Sequence, residues 1–179
     1  MAFNCTHYRK AFFDRQATNP TIILGNAAVD GVQLTQVTAQ HELSPGQHYW
    51  RALGVHHLTS EENGGDHNVY ADLVDEQGQP MRYPQHPNLR LKWGWEGETP
   101  EQHQHPGSGP KKFDKITPDE PMTDVPIFAH QHIWVEIEGH DWLSDRVSMM
   151  GLNGREHESY YVLFQKAVVP QPVPPPPSH

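Results

Sequence analysis

Histidine is the residue best placed to do chemistry in this chain, at 14 of 179 positions. The histidines are scattered rather than clustered as in a tag. They exchange protons near about pH 6.5, so the net charge responds to pH. One spacing occurs twice: Gly64-x-x-His67-x-x-Tyr70 and Gly154-x-x-His157-x-x-Tyr160. Each copy opens an expected strand after a glycine turn. If those strands are neighbours, both rings share one rim, where they could take a ligand or a metal. The plainer reading is that each ring caps its strand start through a backbone hydrogen bond.

A second spacing is His130-x-His132-x-x-x-Glu136. On a strand, alternate residues point the same way, which places both imidazoles and the carboxylate on one face. The pattern resembles the first metal motif of the cupins, with His157 as the remaining ligand. That resemblance implies an enzyme holding Fe, Mn or Zn with open coordination positions. The glycine that normally precedes the motif and the proline–glycine pattern before the last histidine are missing.

Aromatic residues offer a third chemistry. Tyr49, Trp50, Tyr70, Trp93, Trp95, Trp134 and Trp142 could present flat apolar surfaces to sugar rings. Trp93 and Trp95 fall on the apolar face of their segment and read as core. Trp134 shares its face with Glu136 and Glu138, and Trp134 and Trp142 are the more exposed candidates. The loop SEENGGDH carries Glu61, Glu62 and Asp66, which could do acid–base work or hold a cation with Asn63. It also reads as a solvated connection. The candidate ligand-binding set is His67, His157, Glu62, Tyr70, Trp134 and Trp142. No catalytic set is expected, since the chain has no G-x-S-x-G, P-loop or H-E-x-x-H pattern. No cofactor is expected. Cys5 is the only cysteine, which excludes an intrachain disulfide, and a mobile N-terminal segment would be a poor place for a nucleophile.

The elements that must position these residues read mainly as strands. The hydrophobic fraction is 35%, with 17 prolines and 14 glycines, a composition of short apolar runs between frequent turns. Thr21 to Leu24 and Val32 to Ala39 read as short strands. Gln47 to Leu58, Asn68 to Asp75, Leu89 to Trp95 and Ile133 to Glu138 alternate with a period of two. Tyr160 to Gln165 is apolar on both faces and reads as a central, doubly covered strand. Residues 8–18 suit a short helix or an arm, in which Phe12 and Phe13 need a docking place. Gly97 to Asp124 reads as a long structureless loop, and Val168 to His179 as an extended polyproline tail.

The expected fold is all-β: an antiparallel β-sandwich, Ig-like or jelly-roll, of seven or eight strands. Its divisions are an N-terminal arm (1–20), the sandwich (21–167) and a proline-rich tail (168–179). A formal net charge of −9 without a basic stripe argues against nucleic acid and anionic membranes. No segment reads as a signal peptide or a membrane span, so a soluble protein made in the cytoplasm is expected.

The run YWRALGVHHLTSEENGGDHNVYADLVDEQGQP, with GREHESYYVLFQKA later, resembles β-sandwich accessory domains, immunoglobulin-like or carbohydrate-binding-module-like. Such domains occur in bacterial multidomain proteins and on phage virions. The resemblance covers about residues 47–166. It rests on the L-T-x-E-E-N-x-G loop, His67 before the N-V-Y strand, the D-E-x-G turn, and His157 before the last aromatic strand. It implies a non-catalytic module with a glycan as a further ligand. The arm and tail favour a structural or decoration subunit of an assembly such as a virion, with residues 1–20 and 168–179 docking on protein neighbours. A stand-alone carbohydrate-binding module and a cupin-like metalloenzyme are the alternatives.

Overall fold

The computed structural model of the chain describes residues 3–104 and 109–178. The described residues form nine strands in two sheets with a minority of helix, an arrangement compatible with a β-sandwich and not a closed barrel. The five-stranded sheet has the order β1 (Gln33–Thr35), β8 (Arg146–Met150), β7 (Ile133–Glu138), β4 (Arg90–Trp95), β5 (Lys111–Lys112). The four-stranded sheet has the order β2 (His48–His57), β9 (Tyr160–Val168), β3 (Asn68–Val74), β6 (Thr123–Pro126).

Alternating residues of both sheets meet in one apolar interior. Trp50, Ala52 and Val55 of β2, Val69, Ala71 and Leu73 of β3, and Tyr160, Val162 and Phe164 of β9 come from one side. Leu91 and Trp93 of β4, Ile133, Val135 and Ile137 of β7, and Val147 and Met150 of β8 come from the other. At about 25 cal/mol per Å² of apolar surface removed from water, this interior is the main term holding the sheets together.

The four-stranded sheet has a second apolar layer on its outer face. Leu53, Tyr70, Val74, Tyr161 and Leu163 pack there against Phe3, Cys5 and Phe12. The last three belong to the segment that leads into and forms α1 (Thr6–Arg15). Tyr8 and Phe12, one turn apart, place two rings on the inner face of α1. The strand makes room for them: a Cβ on Gly54 would stand 2.3 Å from the Phe12 ring. Phe12 is buried, and Phe13 lies against Gly78. Residues 3–15 thus lie on the chain's own sheet.

Several expectations are corrected. Thr21–Leu24 is not a strand but falls within a helical turn, α2 (Pro20–Leu24), because the Asn19 side chain accepts from the Thr21 N–H and proline occupies the first helical position. Only Gln33–Thr35 of the expected strand at 32–39 is extended. Val37–Gln40 turns helical as α3, its first N–H donating to Asp145 Oδ1 at 2.8 Å. The sheets are not wholly antiparallel, since β3 and β9 run parallel, with Val69 opposite Tyr160. β9 lies between β2 and β3 and pairs with each. The stretch from Gly97 to Asp124 holds α5 (Pro100–His103), β5 and the start of β6. Its residues 105–108 lie outside the described ones. Residues 170–178 form no regular element, and most of them are exposed.

Candidate functional site

Three polar regions surround the apolar layers, and they differ in what they leave open. The first is closed. Asp72, fully buried, accepts from Arg9 Nε at 2.9 Å, the Tyr161 hydroxyl at 2.6 Å, the Cys5 thiol at 3.3 Å and the Met122 N–H at 2.8 Å. Burial, then the Asp72 charge, pushes the Cys5 thiol far above its usual range, so it is a poor nucleophile. Tyr161 is raised for the same reasons. The acceptor capacity of Asp72 is taken up by four donors, which makes this a clamp holding α1 to the sheet.

The second region lies at the end of β2. The Tyr8 hydroxyl donates to Glu62, whose other oxygen stands 2.8 Å from His56 Nε2, and the Tyr8 and His56 rings stack at 3.9 Å. Burial raises the Glu62 carboxyl, but hydrogen bonds from Tyr8, the Thr59 N–H and His56 outweigh it and hold the group down at about 2. Glu62 also closes the capping box of α4 (Ser60–Asn63) with Thr59. The expected acidic loop is therefore one turn of capped helix, with Glu62 as its anchor. Beside it, His57 places Nδ1 2.6 Å from Asp30 and Nε2 against Glu158, with Arg155 3.0 Å from Glu158. The Tyr160 ring stacks on His57 at 4.7 Å. Both nitrogens of His57 face carboxylates, so it joins three chain segments.

The rim at the start of β3 and β9 does bring His67 and His157 together, with ring centroids 6.3 Å apart. Parallel pairing of these strands is what aligns the two glycine–histidine–tyrosine spacings. His67 Nδ1 lies 2.8 Å from the Ile127 carbonyl. Tyr70, from the same motif, points away into the layer under α1 and donates to Asp66 at 2.7 Å. Tyr160 instead faces the interior and donates to the Gly151 carbonyl at 2.8 Å.

His130, His132, Glu136 and His157 do not assemble into the cupin-like metal site of the alternative reading. Among the described residues no group of three or more His, Cys, Asp or Glu side chains is placed to hold a metal ion. His130 sits in a turn with φ 65°, ahead of the strand rather than on it. Glu136 is committed to Arg146 at 3.2 Å and Lys92 at 3.7 Å. Trp134 is no open platform either. Its ring lies across Gly94 of the neighbouring strand, and the Arg146 guanidinium covers it at 3.9 Å.

The third region is a cleft of about 530 Å³ at the open face of the five-stranded sheet, lined by His41, Asn88, Lys92, Glu136, Glu138 and the turn from Gly139 to Ser144. His140 and Asp141 form that turn with φ 57° and 56°. Such left-handed backbone in non-glycine residues costs about 1–2 kcal/mol each. The turn closes by the Trp142 N–H donating to the Gly139 carbonyl at 3.1 Å. Trp142 is half-buried and held among His48 (4.7 Å), His140 (4.8 Å) and Trp50 (4.9 Å). The Trp50 indole N–H donates to the Gly139 carbonyl at 3.1 Å. Sequence reasoning singled out Trp142 but missed His140 and Asn88, because the cleft is made by a turn conformation no spacing reveals.

Among the described residues no helix is long and apolar enough to cross a membrane. No protein-family model, curated protein or solved structure matches this chain.

Proposed function

We propose that this chain is a non-catalytic module of the β-sandwich type that binds a polyhydroxylated ligand of the saccharide class in the cleft beside Trp142. The observation that carries this reading is the composition of that cleft. Exposed His140 and half-buried Trp142 form an aromatic wall, and Asn88, Lys92, Glu136 and Glu138 supply donors and acceptors across from it. Its volume lies within the range of about 300–1,000 Å³ usual for small-ligand sites. Mostly polar lining beside aromatic surface suits a ring with one apolar face and a hydroxylated edge. The non-catalytic part is supported by how the reactive groups are used. Asp72, Glu62 and His57 are each saturated by neighbours, and the Cys5 thiol is buried and raised.

A glycan array probed with the full chain, followed by titration calorimetry, tests the reading. Hits that weaken at least tenfold in His140→Ala and Glu138→Ala are expected, since both side chains are exposed and outside the core. A blank array, or hits indifferent to both changes, would sink it.

A second reading, an assembly subunit such as a virion decoration protein, is favoured by one observation. Residues 170–178 extend exposed from the end of β9, where Val169 is bonded to Gly46 and Gln47. This reading expects oligomers or partner binding that disappear when the chain is cut after Val169. Light scattering that finds monomers of both forms counts against it.

A further inference from the structure

We infer that the two loops leading into β7 and β9 form a binding site for the phosphoryl group of a small ligand, held by Arg155, His130 and His132. The site is a second cavity, of about 290 Å³, and is independent of the saccharide cleft.

Charge sets this cavity apart. The chain carries a formal net charge of −9, and Glu136, Glu138 and Asp141 border the saccharide cleft. Among the described residues no aspartate or glutamate borders the second cavity, whereas Arg155, His130, His132, Gln131 and Asn153 do. Every polar side chain on its border can therefore donate a hydrogen bond. A guanidinium is always charged, and even a neutral imidazole keeps one N–H. Neither of the two imidazoles has a hydrogen-bond partner among the described residues. Donors in that number suit the several oxygens of a phosphoryl group, and the guanidinium fork matches two of those oxygens at once.

Both loops are folded to hold that arrangement. The Gln131 N–H donates to the Phe128 carbonyl at 3.1 Å, which closes a turn with His130 at φ 65°. In the other loop the Arg155 N–H donates to the Leu152 carbonyl at 2.9 Å, around Asn153 at φ 53° and Gly154 at φ 80°. Two non-glycine residues thus keep left-handed backbone on the border of one cavity, a strain that concentrates at ligand sites. The Asn153 and Gly154 N–H groups have no acceptor among the described residues, and successive free N–H groups in a turn attract an anion. Gly151 lets the loops meet, since a Cβ there would stand 2.6 Å from the His132 ring. Arg155 is anchored from behind: Nη1 lies 3.0 Å from Glu158 and 3.9 Å from Asp30. Asn153 Nδ2 donates to the Asp30 carbonyl at 3.3 Å, which ties the turn to the same anchor. Nε and Nη2 of Arg155 keep no partner among the described residues. Glu156 does not border the cavity and stands 3.9 Å from His157 instead. The volume lies at the lower end of the range of about 300–1,000 Å³ usual for small-ligand sites, so a phosphate with a small organic group fits and a polymer does not.

The test is a titration of the tag-free full chain with inorganic phosphate and with glycerol 3-phosphate, followed by amide NMR at constant ionic strength, with acetate as the control anion. Saturable shifts of the Asn153 and Gly154 amides are expected with both phosphates and not with acetate. Affinity should fall about tenfold in Arg155→Gln and several-fold in His130→Gly, where glycine accepts the left-handed backbone. Lys10→Gln removes the same charge from a distant exposed position and should change nothing. Arg155 is exposed, so its variant folds, and the amide shifts of the natural chain decide the matter even if His130→Gly does not fold. Linear shifts without saturation overturn the proposal, as does an equal loss in Lys10→Gln, which would mean attraction to charge alone. Acetate binding as tightly as phosphate overturns the assignment to a phosphoryl group.

Discussion

The four-stranded sheet is covered on both faces, whereas the five-stranded sheet is covered on one. On the closed side, α1 lays Phe3, Cys5 and Phe12 over β2, β3 and β9, and a buried carboxylate, Asp72, meets a half-buried guanidinium, a hydroxyl, a thiol and an N–H. On the open side, Lys92, Glu136 and Arg146 form ion pairs in water above Trp134, and the cleft opens beside them. The same charge types therefore do different work. Buried, they lock a segment in place because removing any partner strands a charge. Exposed, they leave a polar surface that a ligand can replace at little cost.

The comparison breaks or holds on three measurements. The largest effect is expected for Asp72→Ala, which leaves Arg9, Tyr161 and the Met122 N–H without their acceptor. A loss of about 3–5 kcal/mol in urea unfolding is expected, and a loss below about 1 kcal/mol would mean that α1 is held by apolar contact alone.

Asp145, at the seam between the sheets, comes next. Burial raises its carboxyl, N–H bonds from Val37 and Ala52 partly offset this, and the group rests at about 6 against an ordinary 3.8. The folded state thus holds the proton more tightly than the unfolded one. The stability from this group is fully present below pH 3.8, declines as pH rises, and is gone above about 6. At 1.36 kcal/mol per unit, the change is about 3 kcal/mol. In denaturation at several pH values, the stability of the natural chain relative to Asp145→Asn should fall by about 2 kcal/mol of this between pH 4 and 6.5. A flat difference would refute it.

The smallest effect is expected for Glu136→Gln, under about 1 kcal/mol in the same assay. A cost equal to that of Asp72→Ala would erase the distinction between the faces.

Period-two alternation was enough to place β2, β3, β4 and β7 to within a residue, because each buries one or both faces in continuous apolar layers. The doubly apolar YYVLFQ run marked the centre of its sheet for the same reason. The strands β5, β6 and β8 escaped and β1 was expected too long, since short runs such as Lys111–Lys112 are extended only by virtue of the neighbour they bond. Thr21–Leu24 misled through its β-branched residues, where a proline and an asparagine cap outweighed propensity. The rim of His67 and His157 was legible from repeated spacing. The His57 cluster was not, because Asp30, His57 and Glu158 are far apart in the chain and are brought together only by folding.

The parallel pairing of β3 with β9 also bears on synthesis. β9 bonds both β2 and β3, yet it is translated long after them. While the ribosome makes the intervening residues, β2 and β3 exist without the strand that lies between them, each with a bare edge. Pairings over such sequence separations form slowly and leave apolar surface exposed meanwhile. Nascent chains halted before Tyr160 therefore have no means of closing the four-stranded sheet.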